Sequence, residues 1–316
     1  MKWLFLRGRV PQDRSPGEIK WNSLEECDDM WEHLFAGMVH KEDMGKILYW
    51  GGHRRAYYRD NLLVEWIHSL KHYNGFKPDV IIARGGFREY DCLLWKYENA
   101  KKIYYGANHG CIPPKGIKYW GIMVDSERQA KLIESRKLRP LLFFKPAPPI
   151  FKPVDIQKKY DVCFVAIHPN DSRKNVRWVY KTCPKSLKVL QLGNAPRGIK
   201  VPKNFTIKKV RHAKVPRAMN KCHVLAAPYK SEDSGPRVIT EALACNVRPF
   251  MLPETEYWRG LIGSHFTVEK IHYWDAIQRL LKKPPSVKTA LDRYNDMLAL
   301  ADPSEHLRGS VLNQFE

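Results

Sequence analysis

Two carboxylates eight residues apart, Asp233 and Glu241, bracket a Ser234-Gly235-Pro236 turn in YKSEDSGPRVITEALACNVRPFML, Tyr229 to Leu252. The pattern sets a polar turn at the start of a helix of small residues, between two apolar runs. Backbone N–H groups of Ser234 and Gly235 at such a helix start, with the helix dipole behind them, favour an anion or an acceptor oxygen. Pro236 has no N–H but suits a first helical turn. The plainer alternative makes Asp233 an N-cap and Glu241 a solvated helix carboxylate. Glycine pairs also follow apolar runs in YWGGHRR and ARGGFREY. They put Arg54, Arg55, Arg84, Gly85 and Gly86 where open α/β sheets take their ligands, although paired glycines are also ordinary loop punctuation.

The elements that must position these residues are short. Apolar runs at 3–6, 47–50, 80–83, 102–105, 122–124, 141–144, 162–166, 188–191, 206–210, 224–227 and 248–252 read as buried strands. Helical spacing falls at 23–35, opened by SLEE in the manner of a capping box, and at 61–71, 126–135, 237–244 and 273–281. Strands alternating with helices predict an α/β chain with mainly parallel sheets. A length of 316 residues exceeds one ordinary core and suits two. The four prolines of FFKPAPPIFKPVD, Phe143 to Asp155, forbid regular helix and central-strand pairing and mark the boundary. The expected domains are therefore 1–147 and 148–286. After KKPPS, a helical segment at 287–316 is free to pack with either, including back on the first.

No stretch approaches the ~20 apolar residues of a bilayer span, and the apolar run near the N-terminus has only four residues and no cleavage site. Seven cysteines without CxxC spacing argue against a disulfide framework or a zinc site, which points to a reducing cytoplasm. The net charge of +21 implies a polyanionic partner. Its distribution is uneven: from Ser172 to Ser231 no Asp or Glu occurs, while Lys and Arg recur from Arg173 to Lys230. Ordinary surfaces intersperse both signs.

Taken in order, these segments resemble the GT-B glycosyltransferases, in particular the retaining family-4 group. FKPAPPIFKPVD resembles that family's interdomain linker, and YWGIMVDSERQAKLIE, Tyr119 to Glu134, its strand with a Ser-Glu helix start. VPRAMNKCHVLAAPYKSEDSGPRVITEALACNVRPFML is similar to the stretch that carries the Glu-x(7)-Glu motif, with Asp233 in place of the first Glu. The resemblance implies two Rossmann-like domains facing across a cleft, and a nucleotide-sugar as co-substrate, with UDP the expected nucleotide. In this family the first carboxylate contacts sugar hydroxyls and the second the nucleotide ribose, roles that fall to Asp233 and Glu241. Ser234, Gly235, Gly193 and Arg237 complete the implied donor-binding set. A family Arg and Lys neutralise the leaving diphosphate; Lys174 in VAIHPNDSRKNV takes the Lys position, and Arg173 stands in for the Arg. His109, in YYGANHG, is similar to the histidine that approaches the sugar. Arg54, Arg55, Arg84, Gly85 and Gly86 are left to line the acceptor side. GT-B enzymes generally work without a divalent ion, and no metal-binding pattern is found, so no metal is expected.

The acceptor is open among three readings. The positive charge suits DNA, with a hydroxymethylated pyrimidine flipped from the duplex as acceptor, as in phage-type enzymes of this fold. The second reading is a peripheral-membrane or cytoplasmic enzyme acting on an envelope lipid, a glycan or a small molecule, with the charge holding it on an anionic membrane, but no basic amphipathic helix is evident. The third reading is a non-catalytic nucleic-acid-binding relative. Oligomeric state has no sequence signal.

Overall fold

The computed structural model describes residues 1–9, 29–50, 55–59, 61–68, 70, 73–84, 90–105, 113, 116–230, 236–255, 266–282, 290–300 and 302–312, without the side chains of residues 9 and 55–59. The described elements begin with β1 (Lys2–Arg9), α1 (Met30–Met38), β2 (Met44–Trp50), β3 (Arg55–Arg59), β4 (Leu62–Ile67) and β5 (Val80–Arg84). They continue with α2 (Asp91–Lys96), β6 (Lys101–Tyr105), β7 (Gly121–Val124), α3 (Glu127–Ser135) and β8 (Pro140–Leu142). Then follow β9 (Tyr160–Ala166), α4 (Val176–Thr182), β10 (Val189–Gly193), β11 (Phe205–Lys208), α5 (Val215–Met219), β12 (Cys222–Ala227), α6 (Val238–Ala244) and β13 (Arg248–Met251). Three helices close the chain: α7 (Tyr273–Lys282), α8 (Ala290–Leu300) and α9 (Pro303–Leu312).

Two compact units result, one of Met1–Phe143 with Pro303–Glu316, the other of Phe144–Asp302. Unit 1 holds an eight-stranded sheet in the order β3-β4-β2-β1-β5-β6-β7-β8, parallel throughout except for the β3–β4 pair. Its strands are apolar on both faces because helices cover both. Trp3, Phe5, Val80, Ile82, Ile103 and Tyr105 point to the α1 side, whereas Leu4, Leu6, Ile81 and Ala83 point to the other. Phe5 stacks on Phe35 of α1 at 4.0 Å between ring centroids. α9 closes this side: Arg308 donates to the Met38 carbonyl at 2.8 Å and pairs with Asp43, which also holds the Met1 ammonium at 2.9 Å. Burial alone would raise the Asp43 carboxyl, but these two cations hold it below its usual range.

Two expectations are corrected here. The segment expected as a helix at 61–71 contains strand β4, hydrogen-bonded in parallel to β2. Its near-continuous burial erases the period that separates helix from strand, and Val64, Trp66 and Ile67 favour the pleated form. The charge within it, Glu65, is matched by Lys46 of β2 at 3.0 Å. The described helix after β1 is capped by Asp29, whose Oδ1 accepts from the Trp31 and Glu32 amides, rather than by Ser23 of SLEE. Residues 23–28 lie outside the described set.

Unit 2 is a fully parallel five-stranded sheet, β11-β10-β9-β12-β13, around one core that runs from Phe144 to Met297. α8 lies against α6, with the Leu291 amide donating to the Asn246 side chain at 3.2 Å. Tyr273, fully buried at the start of α7, accepts from the Ala227 amide at 3.0 Å and donates to the Phe250 carbonyl at 2.7 Å. Its hydroxyl thus satisfies the ends of both β12 and β13. Tyr273→Phe leaves two buried backbone groups unpaired and should cost about 1–3 kcal/mol. Urea unfolding measures it; an unchanged midpoint would mean that water or a shifted strand replaces the hydroxyl.

Candidate functional site

In unit 2 the strand order reverses between β9 and β12, and ligands of open parallel sheets sit beyond the strand C-termini at such a point. Gly193 ends β10 with φ +132°, and a Cβ there would lie 2.2 Å from the Ala166 carbonyl oxygen at the end of β9. Only glycine allows that approach. The loop after β9 turns through a 3-10 segment, Ser172–Lys174, and into a left-handed Asn175 that leads α4. Its side chain donates to the Pro228 carbonyl at 3.1 Å, and the Lys230 amide donates to the Arg173 carbonyl at 3.0 Å. The loops after β9 and β12 are therefore tied to each other.

Within this tie the two sequence-predicted cations behave differently. Arg173 grips Asp171, its Nε at 2.9 Å from both carboxylate oxygens and its Nη2 at 2.5 Å from one. That grip holds Asp171 below the usual carboxylate range. Lys174 instead lies with its Nζ 4.4 Å from the centroid of Tyr229. Tyr229 is itself fixed: its ring is fully buried and its hydroxyl donates to the Val165 carbonyl at 3.0 Å.

Glu241 sits in the first turn of α6 and is only 5% exposed. Arg237, one turn earlier, brings its Nε to 3.2 Å from Oε1. His212, in the 3-10 turn after β11, brings its Nε2 to 3.4 Å from the same oxygen, its ring lying 5.4 Å from that of Phe151. Among the described residues no group donates to Oε2. Burial raises the Glu241 carboxyl, but Arg237 and His212 outweigh it, and the carboxyl stays ionised below its ordinary range. The alternative of a solvated Glu241 is thereby corrected. His212 was missed in the sequence because it belongs to no motif and reaches Glu241 only through the β10–β11 pairing.

The structure thus brings Glu241 together with Arg237, and Lys174 with Arg173 and Tyr229, beyond the strand ends where Gly193 lies. Arg84 ends β5 in unit 1, in register with Tyr105. His109, Asp233, Ser234, Gly235, Gly85, Gly86 and Arg54 lie outside the described residues, as does the side chain of Arg55. Among the described residues no three His, Cys, Asp or Glu side chains cluster to hold a metal, and no helix is long and apolar enough to cross a membrane.

No protein-family profile matches the sequence, and no curated protein matches it significantly. Solved structures do. Sucrose-phosphate synthase from Thermosynechococcus elongatus superposes with a TM-score of 0.67 at 9% identity, over 99% of this chain and 98% of that one. The T4 phage BGT in complex with UDP and Mn2+ gives 0.63 at 11%, over 99% of each chain. Anabaena HepE in complex with UDP gives 0.59 at 12%, over 100% and 99%. The fold is that of the GT-B glycosyltransferases, two parallel α/β units in one chain.

Because the folded Glu241 carboxyl lies below its ordinary value of 4.5, protonation is harder in the folded state than in the unfolded one. Its stabilising contribution is complete above the ordinary value and is lost as the pH falls through the folded one. The gap in melting temperature between the native protein and Glu241→Gln should be full at neutral pH and shrink as the pH falls through the lowered folded value. A gap independent of pH would show that Arg237 and His212 do not hold the carboxylate.

Proposed function

We infer that this chain is a nucleotide-sugar-dependent glycosyltransferase that takes a UDP-sugar on unit 2 and transfers the sugar with retention of configuration. The observation that carries the reading is Glu241: a buried, ionised carboxylate whose Oε1 is held by Arg237 and His212 while Oε2 has no donor among the described residues. It occupies the ribose-binding position of the motif. A free carboxylate oxygen held rigid in this way is suited to accept from a ribose hydroxyl.

The other roles follow the sequence expectation. Asp233 contacts the sugar hydroxyls, the Ser234 and Gly235 amides face the diphosphate, and Gly193 admits the nucleotide close to the backbone. Transfer breaks the bond between the anomeric carbon and the diphosphate oxygen and joins that carbon to an acceptor hydroxyl, whose proton leaves with the UDP or to solvent. Negative charge grows on the leaving diphosphate, where a fixed cation is worth most. Lys174 fills that part, and Arg173, spent on Asp171, braces the loop that presents it. His109 is assigned to the sugar, and Arg54, Arg55, Arg84, Gly85 and Gly86 to the acceptor.

The acceptor favoured is a hydroxymethylated pyrimidine in DNA. Its support is the surface of unit 2: of the cations from Arg173 to Lys230, all but Arg173, Lys174 and Lys221 are exposed. Such a surface supplies sequence-independent affinity for a phosphate backbone, and the target base must be flipped out to be reached.

Mass spectrometry of duplexes containing 5-hydroxymethylcytosine or 5-hydroxymethyluracil, after incubation with a panel of UDP-sugars, tests donor and acceptor together. A sugar-sized gain that Glu241→Ala abolishes is expected, with UDP affinity lost and the fold kept. Gain on no DNA, with UDP-sugar hydrolysis retained, would move the acceptor to an envelope lipid, a glycan or a small molecule. Lys174→Ala should lower turnover by about a hundredfold or more; unchanged turnover would remove the lysine from the leaving-group role.

A further inference from the structure

Unit 1 contains a cation, Arg84, that no group among the described residues pairs with directly. Leu6 of β1 and Ala83 of β5 are the last register partners of the two central strands, and Arg7, at an irregularity in β1, and Arg84 follow them at the C-terminal edge. By strand alternation Arg84 follows Val80 and Ile82 onto the α1 side, next to Tyr105. Arg7 is provided for: its Nη2 pairs with Asp29 at 3.1 Å, and its guanidinium lies 5.9 Å from the Trp31 ring. The surrounding acids are occupied. Asp29 already caps α1 with Oδ1 and binds Arg7 with Oδ2, Glu32 accepts from the Tyr49 hydroxyl at 2.5 Å, and Asp125 accepts from Tyr105 at 3.2 Å.

Arg84 has no such provision. It is partly buried, and among the described residues nothing accepts a hydrogen bond or forms an ion pair with its guanidinium. Burial and the like charge of Arg7 disfavour its charged form more than Tyr105, Asp29 and Tyr90 favour it. A partly desolvated charge next to another of its sign, with no direct partner, costs a fold free energy. The Nε of Arg7 is likewise buried without an acceptor.

We propose that Arg84, with Arg7 beside it, forms an oxyanion subsite in unit 1 that binds a phosphoryl group. A guanidinium fork takes two oxygens of a phosphate side by side, and a phosphoryl group keeps a further oxygen for a second donor, which a carboxylate does not. The ligand neutralises charge that no described residue pairs with directly. The inference is independent of the donor-site reading, because all its residues belong to unit 1.

The test is thermal unfolding of the full chain in inorganic phosphate against chloride at matched ionic strength, for the native protein, Arg84→Met and Arg84→Lys. Phosphate should raise the native melting temperature saturably, as a ligand of the folded state must. Arg84→Met should abolish the rise and, without phosphate, be at least as stable as the native protein, since it removes an unbalanced charge and keeps the apolar stem. Arg84→Lys, which keeps charge but not the fork, should weaken the phosphate response at least tenfold in apparent affinity, and it carries the test if Arg84→Met fails to fold. No rise in the native protein, or the same rise in it and the variants, overturns the proposal. So does an equal response to acetate. Methyl phosphate and dimethyl phosphate then separate a small phosphomonoester from the diester of a nucleic-acid backbone. UDP binding measured on the same samples should not change in Arg84→Met, which keeps a failure here distinct from a failure of the donor site.

Discussion

A carboxylate taken almost wholly out of water must be either protonated or surrounded by donors, and Glu241 is surrounded. Much of unit 2 serves that arrangement. The helix α6 starts where β12 delivers it, so Arg237 lies one turn before Glu241 on the same face. The β10–β11 pairing carries His212 to the same oxygen, and Phe151 packs against its ring. Because both side chains converge on Oε1, the orientation of the carboxylate is fixed, and among the described residues nothing donates to its other oxygen. Removing either partner would leave a buried charge less well held, which makes the trio a unit rather than a set of independent contacts.

The same logic places the cation of the β9 loop. Asp171 and Arg173 form a closed pair that shapes the 3-10 turn, and Tyr229 offers a ring held rigid by the Val165 carbonyl. Lys174 is set over that ring, whose face attracts its ammonium. Two adjacent basic residues of similar chemistry thus receive different surroundings from their neighbours.

How much of this was legible depends on whether the signal is local. The spacing of Asp233 and Glu241, the helix at α6 and its strand-flanked turn are contained in one segment, and most strands announced themselves as short apolar runs. β4 did not, because burial on both faces removes the alternation that separates strand from helix. The Asp29 cap lay hidden behind the stronger pattern of SLEE. His212 and the adjacency of Arg7 with Arg84 had no sequence signal at all: each depends on strand pairing between segments far apart in the chain. Register, rather than composition, decides which charges meet.

Register also explains how unit 2 tolerates its charge. A stretch of sixty residues with no acid cannot relieve its repulsion through local ion pairs, so its cations must be spread and hydrated. The structure does this by confining apolar residues to the parallel strands β9 to β13 and their helix contacts, while the lysines and arginines of α4, α5, β11 and the connecting loops lie on the outside. The core supplies the stability, and the long stems of these side chains let the charges stand apart in water. Repulsion among separated, solvated charges is weak at ordinary salt, so the fold bears it at modest cost. A polyanion that follows the surface gathers many of these charges at once and releases its counterions in doing so, which makes the same arrangement that is nearly neutral for folding strongly favourable for association.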